Sequence, residues 1–197
     1  VLGIDDDEEA EPGWLDAFVS TARTAPAELF GGSVTPVFAD PARAWLAAHP
    51  VFRSHYDSSG PVPMLYSSAN YLIRRSVLDR LGFPFLDESF DFTGGGDTDF
   101  FTRAKAAGFR FWWVQEAAQR ETMPARRSEF AWIHARGLRN GSLSAMIQRR
   151  ENPGFAGRIR VLAKSLALLA AAIPRGLALG LRTRSGQIGL YHLQVAI

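Results

Sequence analysis

The sequence predicts an α/β domain with a mainly parallel or mixed sheet, followed by an apolar helical region. Three observations support this class. Short β-prone runs alternate with helical runs up to about residue 150, the 197 residues are 47% hydrophobic and 21% charged, and the chain beyond residue 151 is helix-prone and rich in Leu and Ala. Alternating strands and helices are typical of layered α/β folds, and this composition is typical of a globular chain. We therefore expect two regions, residues 1–150 and residues 151–197.

The individual elements follow from hydrophobic periodicity and from the residues that begin and end helices. The expected elements are, in order, a buried strand over 1–4, a helix over 14–25, a strand over 29–38, a short helix over 41–45, one or two strands within 64–75, a helix starting after residue 76, a helix over 97–107, a strand over 110–116, a helix over about 128–150 and further helix beyond the break at 152–154. Ser76 and Ser128 are predicted N-caps, and Gly82 a helix stop. The Gly31-Gly32 pair predicts a close approach of backbone or ligand.

The charge distribution and the absence of cysteine limit the kinds of site and partner that this chain can have. The absence of cysteine excludes disulfides, Cys-ligated zinc, iron–sulfur clusters and thiol nucleophiles. Residues 1–20 contain seven acidic side chains and no Lys or Arg, whereas residues 120–164 contain ten Arg or Lys and three Glu. An acidic pole favours a metal, and a basic pole favours phosphates or anionic lipid. The basic stretch lacks a nucleic-acid-reading motif, so nucleic acid is not an expected partner.

The acidic run Asp5-Asp6-Asp7 follows directly after the first predicted strand. Open α/β sheets bind their ligands at the carboxyl ends of strands. In extended backbone Asp5 and Asp7 project to the same side, so they could share a metal and its diphosphate while Asp6 faces away. Carboxylate oxygens of this kind suit Mg²⁺ or Mn²⁺. The alternative is a solvated acidic turn leading into a helix N-terminus, where acids are favourable.

The run "FTGGGDTDFF" (92–101) places Asp97 at the start of a helix after three glycines. At the mouth of such a loop, Asp97 could accept a proton from an incoming hydroxyl group. Glycine-rich loops before helices also bind phosphate, but Asp97 and Asp99 in the first turn argue against an anion. The structural alternative is that Asp97 caps the helix and Asp99 complements its dipole.

Two arginines, Arg136 and Arg139, are three residues apart and so share one face of a predicted helix. They could clamp a diphosphate, or they could simply form a solvated helix face. His134 on the same helix is isolated from other histidines, and we expect it to be packed or at the surface rather than a ligand.

Read in order, these pieces resemble one family. The apolar strand ending in "DDD", then "EPGWL", "FGGSVTPVF", "SSANYLIRRSVLDRLG", "TGGGDTDFFTRAKAAGFRFWWV" and the later "MP" and "LRNG" runs are similar to the family 2 glycosyltransferases. The closest resemblance is to the bacterial exopolysaccharide members of the succinoglycan type. It covers about residues 1–141.

The resemblance implies a GT-A fold and an inverting transfer of sugar from a nucleotide-diphosphate-sugar donor to a glycan or lipid-linked acceptor, in the cytoplasm. Asp5 and Asp7 match the acidic positions of the family's DxD motif. Asp7 would hold Mn²⁺ or Mg²⁺ on the donor diphosphate, with Asp5 near the ribose or the metal. Asp97 matches the general base, and Arg136 and Arg139 fall where similar enzymes carry a basic helix near donor phosphates or acceptor.

Two departures from the family pattern leave alternatives open. Gly96 stands where the family has a Glu before the catalytic Asp. The family's N-terminal strand–helix–strand unit, which binds the nucleotide base, does not precede Val1, so we expect this chain to be the C-terminal portion of such a catalytic domain. The alternatives are a non-catalytic, membrane-associated remnant of the fold, or a metal-dependent phosphohydrolase, although the acidic run lacks that class's Asp-Gly-Thr sequence.

The tail at 165–181 is strongly apolar but contains Pro174 and Arg175. A spanning helix needs about 20 mainly apolar residues, and this run is shorter. The basic residues that flank it are Arg158, Arg160, Lys164, Arg182 and Arg184. This pattern favours either an amphipathic segment on the inner face of the membrane or a helical pair packed on the domain or on another subunit.

Overall fold

The computed structural model describes residues 1–82 and 85–196, so residues 83 and 84, the beginning of the loop expected after Gly82, lie outside the described part of the chain. The strands are β1 (Leu2–Ile4), β2 (Glu8–Ala10), β3 (Leu29–Phe38), β4 (Gly60–Val62), β5 (Asn70–Ile73) and β6 (Phe111–Met123). The α-helices are α1 (Trp14–Thr24), α2 (Arg75–Leu81), α3 (Gly96–Ala106), α4 (Phe130–Glu151), α5 (Gly154–Thr183) and α6 (Gly186–Ala196). Short 3₁₀ helices cover Pro41–Ala48, Glu88–Phe90 and Ala125–Ser128.

The first compact unit, Val1–Ala39 with Phe52–Met123, is built on one sheet. Its strand order is β1-β5-β3-β6-β2, with β4 also pairing with β6. Strands β3 and β6 are parallel, and the other pairs are antiparallel. The expectation of an α/β chain with a mixed sheet is therefore confirmed.

Each face of the sheet carries its own core, because neighbouring residues of a strand point to opposite faces. Leu29 faces a cluster with α2 and α3 that includes Val77, Phe101 and Phe111. Phe30, the next residue, faces a second cluster that α1 completes through Phe18. Helices thus pack on both faces of the sheet.

The second compact unit comprises Asp40–Val51 and the chain from Pro124 onward. Helices α5 and α6 lie against each other at glycines: a Cβ added at Gly189 would lie 2.4 Å from the Gly176 carbonyl oxygen. The helical tail is confirmed, and α5 continues through Pro174.

Several sequence-based expectations were wrong in detail. Strand β1 forms, but it is an edge strand paired only with β5, so Ile4 is 39% exposed rather than buried. Ser76 is not an N-cap, because α2 already begins at Arg75 with Arg74 as its cap. Ser128 is not one either: its hydroxyl donates to the Ala125 carbonyl oxygen inside a 3₁₀ turn, and α4 begins two residues later. The strand expected over 110–116 runs on to Met123 because β3 and β2 pair with its second half.

Candidate functional site

A tight acidic turn, residues 5–8, joins β1 to β2. The Glu8 backbone N–H donates to the Asp5 carbonyl oxygen at 3.2 Å, and the Asp5 N–H donates to the Glu8 carboxylate at 3.1 Å. The side chains of Asp5, Asp6 and Asp7 are exposed. Strands β1 and β2 stand at the two ends of the strand order, and this turn connects them.

The turn corrects one step of the sequence reasoning. Asp5 and Asp7 were expected to project to the same side because extended backbone alternates its side chains. Strand β1 ends at Ile4, and Asp6 and Asp7 lie in the turn, so the alternation does not apply to them. Asp5 and Asp7 are instead neighbours in a turn that reverses the chain between β1 and β2.

Glu8 is an acid of the turn with a strongly raised pKa. Its pKa is raised to about 7, mainly by burial and also by the charges of Asp5, Glu121 and Asp7, while the hydrogen bond from the Asp5 backbone acts in the opposite direction. Repulsion among several carboxylates means that negative charge is in excess here. A cation at the turn would relieve this repulsion.

Buried polar side chains form a hydrogen-bond network next to the acidic turn. Gln119 of β6 is fully buried, and its Nε2 donates both to the Glu8 carboxylate and to the Ala69 carbonyl oxygen. Asn70, 3% exposed, accepts a hydrogen bond from Trp14 Nε1 at 2.9 Å. These bonds tie the acidic turn to α1, β5 and β6.

The Gly-Gly pair of β3 permits that network. Asn70 Nδ2 donates to the carbonyl oxygens of Ser33 and Ala117 at 3.0 and 2.7 Å. A Cβ at Gly32 would lie 2.2 Å from the Ala117 oxygen. The register between β3 and β6 shifts at this point, between Gly32 and Val34. The close backbone approach predicted at Gly31-Gly32 is confirmed.

Asp97 lies in the first turn of α3, partly buried, and its Oδ1 accepts a hydrogen bond from the Thr98 backbone N–H at 2.7 Å. The preceding Gly95 caps the helix with φ +91°, a conformation that favours glycine. Asp99 instead pairs with Arg103 at 2.8 Å. Asp97 is therefore not a member of the Asp99–Arg103 ion pair.

Space remains at Gly96 for a side chain. A Cβ there would lie 3.5 Å from Phe90 Cβ, an ordinary van der Waals contact, with no backbone atom among its nearest neighbours. Nothing in the local packing therefore requires glycine at the position where the resembling family has Glu.

The acidic turn follows the carboxyl end of β1, and Asp97 lies in the first turn of the helix that leads into β6. Strands β1 and β3 are both antiparallel to β5, so their carboxyl ends point the same way. Helix α3 leads into β6 through four residues, and Phe101 packs on Phe111 at the start of β6 with ring centroids 6.2 Å apart. Phe101 and Ala104 of α3 therefore share one core cluster with the start of β6.

The donor set fits a metal that is only partly held by protein. Among residues 1–82 and 85–196, no three His, Asp or Glu side chains are grouped as a complete metal site. Mg²⁺ commonly takes one or two carboxylates and completes its shell with substrate phosphates and water. Asp5 and Asp7 match that smaller requirement.

Arg136 and Arg139 lie on α4 in the second unit, and both are exposed. The Arg136 guanidinium lies 5.9 Å from the centre of the Trp132 ring. His134 packs as expected, since its Nδ1 lies 2.7 Å from Gln194 Nε2 and its ring stacks on Phe130. The two arginines are thus available on the helix face that their spacing predicted.

Sequence reasoning missed the residues that hold the site in place: Glu8, Trp14, Asn70 and Gln119. The only local signal was a polar residue inside an apolar strand run, as at Asn70 in "ANYLI". Buried polar side chains are usually hydrogen-bonded, so such a residue indicates a partner elsewhere in the chain.

Comparison with known proteins gives one informative match. The chain is 34% identical over 140 residues to the succinoglycan biosynthesis protein ExoM of Rhizobium meliloti (strain 1021). The match covers 70% of this chain and 44% of that relative, so the chain spans less than half the relative's length. No family model matches the chain. No solved structure matches it significantly. The match supports, at this coarse level, a chain related to proteins of exopolysaccharide biosynthesis.

Proposed function

We propose that the protein is an inverting glycosyltransferase of the GT-A type that contributes to a bacterial surface polysaccharide. It would move a sugar from a nucleotide-diphosphate-sugar donor to a hydroxyl group of a glycan acceptor. The observation that supports the proposal is the exposed acidic turn at the carboxyl end of β1, together with a partly buried Asp97 in the first turn of α3. The similarity to a succinoglycan biosynthesis protein supports the same class of product.

The donor diphosphate would bind at the acidic turn. Asp7 would hold Mn²⁺ or Mg²⁺, with Asp5 beside it or near the ribose. The ion would supply positive charge to the departing diphosphate. Gln119 positions the turn through its bond to Glu8, so the carboxylates are held before the donor arrives. Such preorganisation is what an electrostatic site requires.

Asp97 would act as the general base. Its carboxylate accepts the proton of the acceptor hydroxyl while the hydroxyl oxygen bonds to the anomeric carbon. The bond from that carbon to the diphosphate oxygen breaks with inversion. A positioned base of this kind typically contributes about 10²–10⁴-fold to the rate.

Two further parts of the proposal concern the arginines of α4 and the location of the enzyme. Arg136 and Arg139 would contact donor phosphates or acceptor. A lipid-linked acceptor would place the enzyme at the cytoplasmic face of the membrane. Within residues 1–82 and 85–196, one helix, α5, is long and apolar enough to cross a membrane by length and composition.

One observation favours a second candidate. Gly96 replaces the acidic neighbour of Asp97, as expected of a non-catalytic protein that kept the fold. Because a side chain fits at Gly96, the replacement is not imposed by packing. An assay of sugar transfer distinguishes the glycosyltransferase from the non-catalytic candidate.

The test uses the protein expressed from its complete reading frame and a panel of radiolabelled nucleotide-diphosphate sugars with bacterial lipid extract as acceptor. We expect transfer from one donor, loss of transfer in EDTA and recovery with Mn²⁺ or Mg²⁺. Asp7→Asn should remove the metal-dependent rate, whereas Asp16→Asn, an exposed acid in α1, should not. Absence of transfer from every donor would favour the non-catalytic candidate. Transfer that is indifferent to EDTA would contradict the metal role.

A further inference from the structure

Helix α5 carries a continuous apolar stripe that the rest of the chain leaves uncovered. Its members are Phe155, Ile159, Leu162, Leu166, Ile173, Leu177 and Leu181, each between 52% and 81% exposed. Their spacing of three, four or seven residues keeps them within an arc of about 100° on a helix of 3.6 residues per turn. Seven large apolar side chains in one row exceed the scattered exposure of an ordinary surface.

The opposite side of α5 is basic. Arg160, Lys164, Arg175 and Arg182 are exposed and lie within about 60° of one another, centred roughly opposite the stripe. Helix α5 contains no Asp or Glu. The separation runs from Ile159 to Arg182, while Arg158 in the first turns of the helix lies at the margin of the stripe.

A third face of α5 fixes how the helix is turned. Val161, Ala172 and Gly176 are buried. The Gly176 Cβ position lies 2.7 Å from the Gly189 carbonyl oxygen of α6, so any side chain there would force the helices apart. The stripe is therefore a separate face from the one that packs against α6.

Charge placement argues against a spanning orientation. The longest uncharged run of α5, residues 165–174, is about 15 Å long at 1.5 Å per residue, against about 30 Å of bilayer hydrocarbon. Spanning would draw Arg175 into the hydrocarbon, which is costly. A helix lying in the plane of the surface keeps the basic face of Arg160, Lys164, Arg175 and Arg182 in water.

The charge of this part of the chain also indicates which partner covers the apolar stripe. From residue 124 to residue 196 the chain has twelve Arg or Lys and two Glu. Two such surfaces repel each other, whereas a surface of anionic phospholipid attracts them. A large apolar face opposite a basic face is the pattern of interfacial helices.

We propose that α5 docks the protein on an anionic phospholipid surface, lying in the membrane plane with its apolar stripe inserted at the headgroup–acyl boundary. Docking goes beyond the proposed function and does not depend on it, since it needs neither a donor nor Asp97. Lipid binding and sugar transfer can therefore fail separately.

The test is co-sedimentation of the full chain with vesicles of phosphatidylcholine alone or with about 30% phosphatidylglycerol. We expect binding to the anionic vesicles, weak binding to the neutral ones, and release by about 0.5 M NaCl or alkaline carbonate. Leu166→Ser and Leu177→Ser should each weaken binding about tenfold. Leu168→Ser is the matched control, because Leu168 is 49% exposed but lies on the basic side.

A second pair of variants tests the charges. Lys164→Gln and Arg175→Gln should each weaken binding to anionic vesicles about fivefold and leave binding to neutral vesicles unchanged. Three outcomes would overturn the proposal. They are retention in the membrane after carbonate, which indicates a spanning helix; equal effects of Leu166→Ser and Leu168→Ser; and a dimer in gel filtration that Leu166→Ser abolishes, without vesicle binding.

Discussion

Gln119 donates a hydrogen bond from its buried amide to the carboxylate of Glu8, 111 positions earlier in the chain. This bond joins the acidic turn to the centre of the sheet. Since Gln119 also donates to the Ala69 carbonyl oxygen, one side chain links β6, the segment before β5 and the turn. The candidate site therefore rests on contacts between distant parts of the sequence.

The Gln119–Glu8 bond should make a measurable contribution to stability. Replacing Gln119 by Leu leaves the half-buried Glu8 carboxylate and the Ala69 carbonyl oxygen without this donor, a loss of about 1–3 kcal/mol in the free energy of unfolding. Urea denaturation at neutral pH measures it. The control Thr122→Val, on the exposed side of β6, should stay within about 0.5 kcal/mol of wild type. Equal stability of Gln119→Leu and Thr122→Val would contradict the role given to the bond.

We expect the Asn70 amide to stabilise the fold more through the two hydrogen bonds that it donates than through the one that it accepts. Asn70→Asp keeps an oxygen that can accept from Trp14 Nε1, but it sets a second oxygen against the Ser33 and Ala117 carbonyls. We expect a loss of about 3 kcal/mol or more, because a buried charge then faces acceptors. Trp14→Phe removes only one donor and should cost about 1 kcal/mol beyond any packing change. A larger loss for Trp14→Phe in chemical denaturation would reverse this ranking.

Two glycines provide a contrasting pair. Gly32→Ala would place a methyl group 2.2 Å from the Ala117 carbonyl oxygen, and we expect a loss of about 2 kcal/mol or more. Gly96→Ala has ordinary contacts and should leave stability unchanged or raise it by about 0.5 kcal/mol, as alanine does in helices. Thermal unfolding of the two variants side by side measures both. Similar midpoints for the pair would show that the β3–β6 approach is not as close as described.

His49 should give the second unit an acid-sensitive stability. Its ring is fully buried, packs edge-on against Tyr191 at 5.3 Å and accepts from the Val51 N–H at 3.2 Å. Burial lowers the pKa of His49 below its usual 6.5, and His192 adds to the effect against a hydrogen bond with the Gln187 backbone. The unfolded chain then binds more protons than the folded one below about pH 6.5, so stability falls as the pH drops through that range.

His49→Asn tests this pH dependence. The amide oxygen can replace Nδ1 as acceptor but cannot take up a proton. We expect the free energy of unfolding to fall less between about pH 7 and pH 5 in the variant than in wild type. Each protein is compared with itself, so a constant cost of the substitution cancels. Identical slopes would mean that His49 does not sense the pH.

The helices and the central strand were predictable where the signal is local. Strand β3 has the predicted bounds, and α3 and α1 lie within one residue of theirs, because Gly-rich or Pro-Gly turns precede the helices and apolar periodicity runs through them. Gly82 ends α2 as expected, with φ +77°. The predictions that helices begin after Ser76 and Ser128 were wrong, because a serine next to a helical pattern can equally lie inside a turn, as Ser128 does.

The architecture of the candidate site was not predictable. The acids and Asp97 are visible in the sequence because their residue types are unusual beside apolar strands and glycines. The buried amides of Asn70 and Gln119 owe their roles to partners far away in the chain, and no local pattern encodes such pairs. The uncovered stripe of α5 also needed the structure, because periodicity alone does not show which apolar face is buried.

The most direct test of the central claim compares Asp97→Asn with wild type in sugar transfer, using the protein from its complete reading frame and the donor identified by the panel. We expect kcat to fall by about a hundredfold or more, because the acceptor hydroxyl loses its base. Thermal stability should be nearly unchanged, since Asp97 is not part of the Asp99–Arg103 pair. Wild-type kcat in Asp97→Asn would contradict the catalytic role of Asp97 and with it the proposed site.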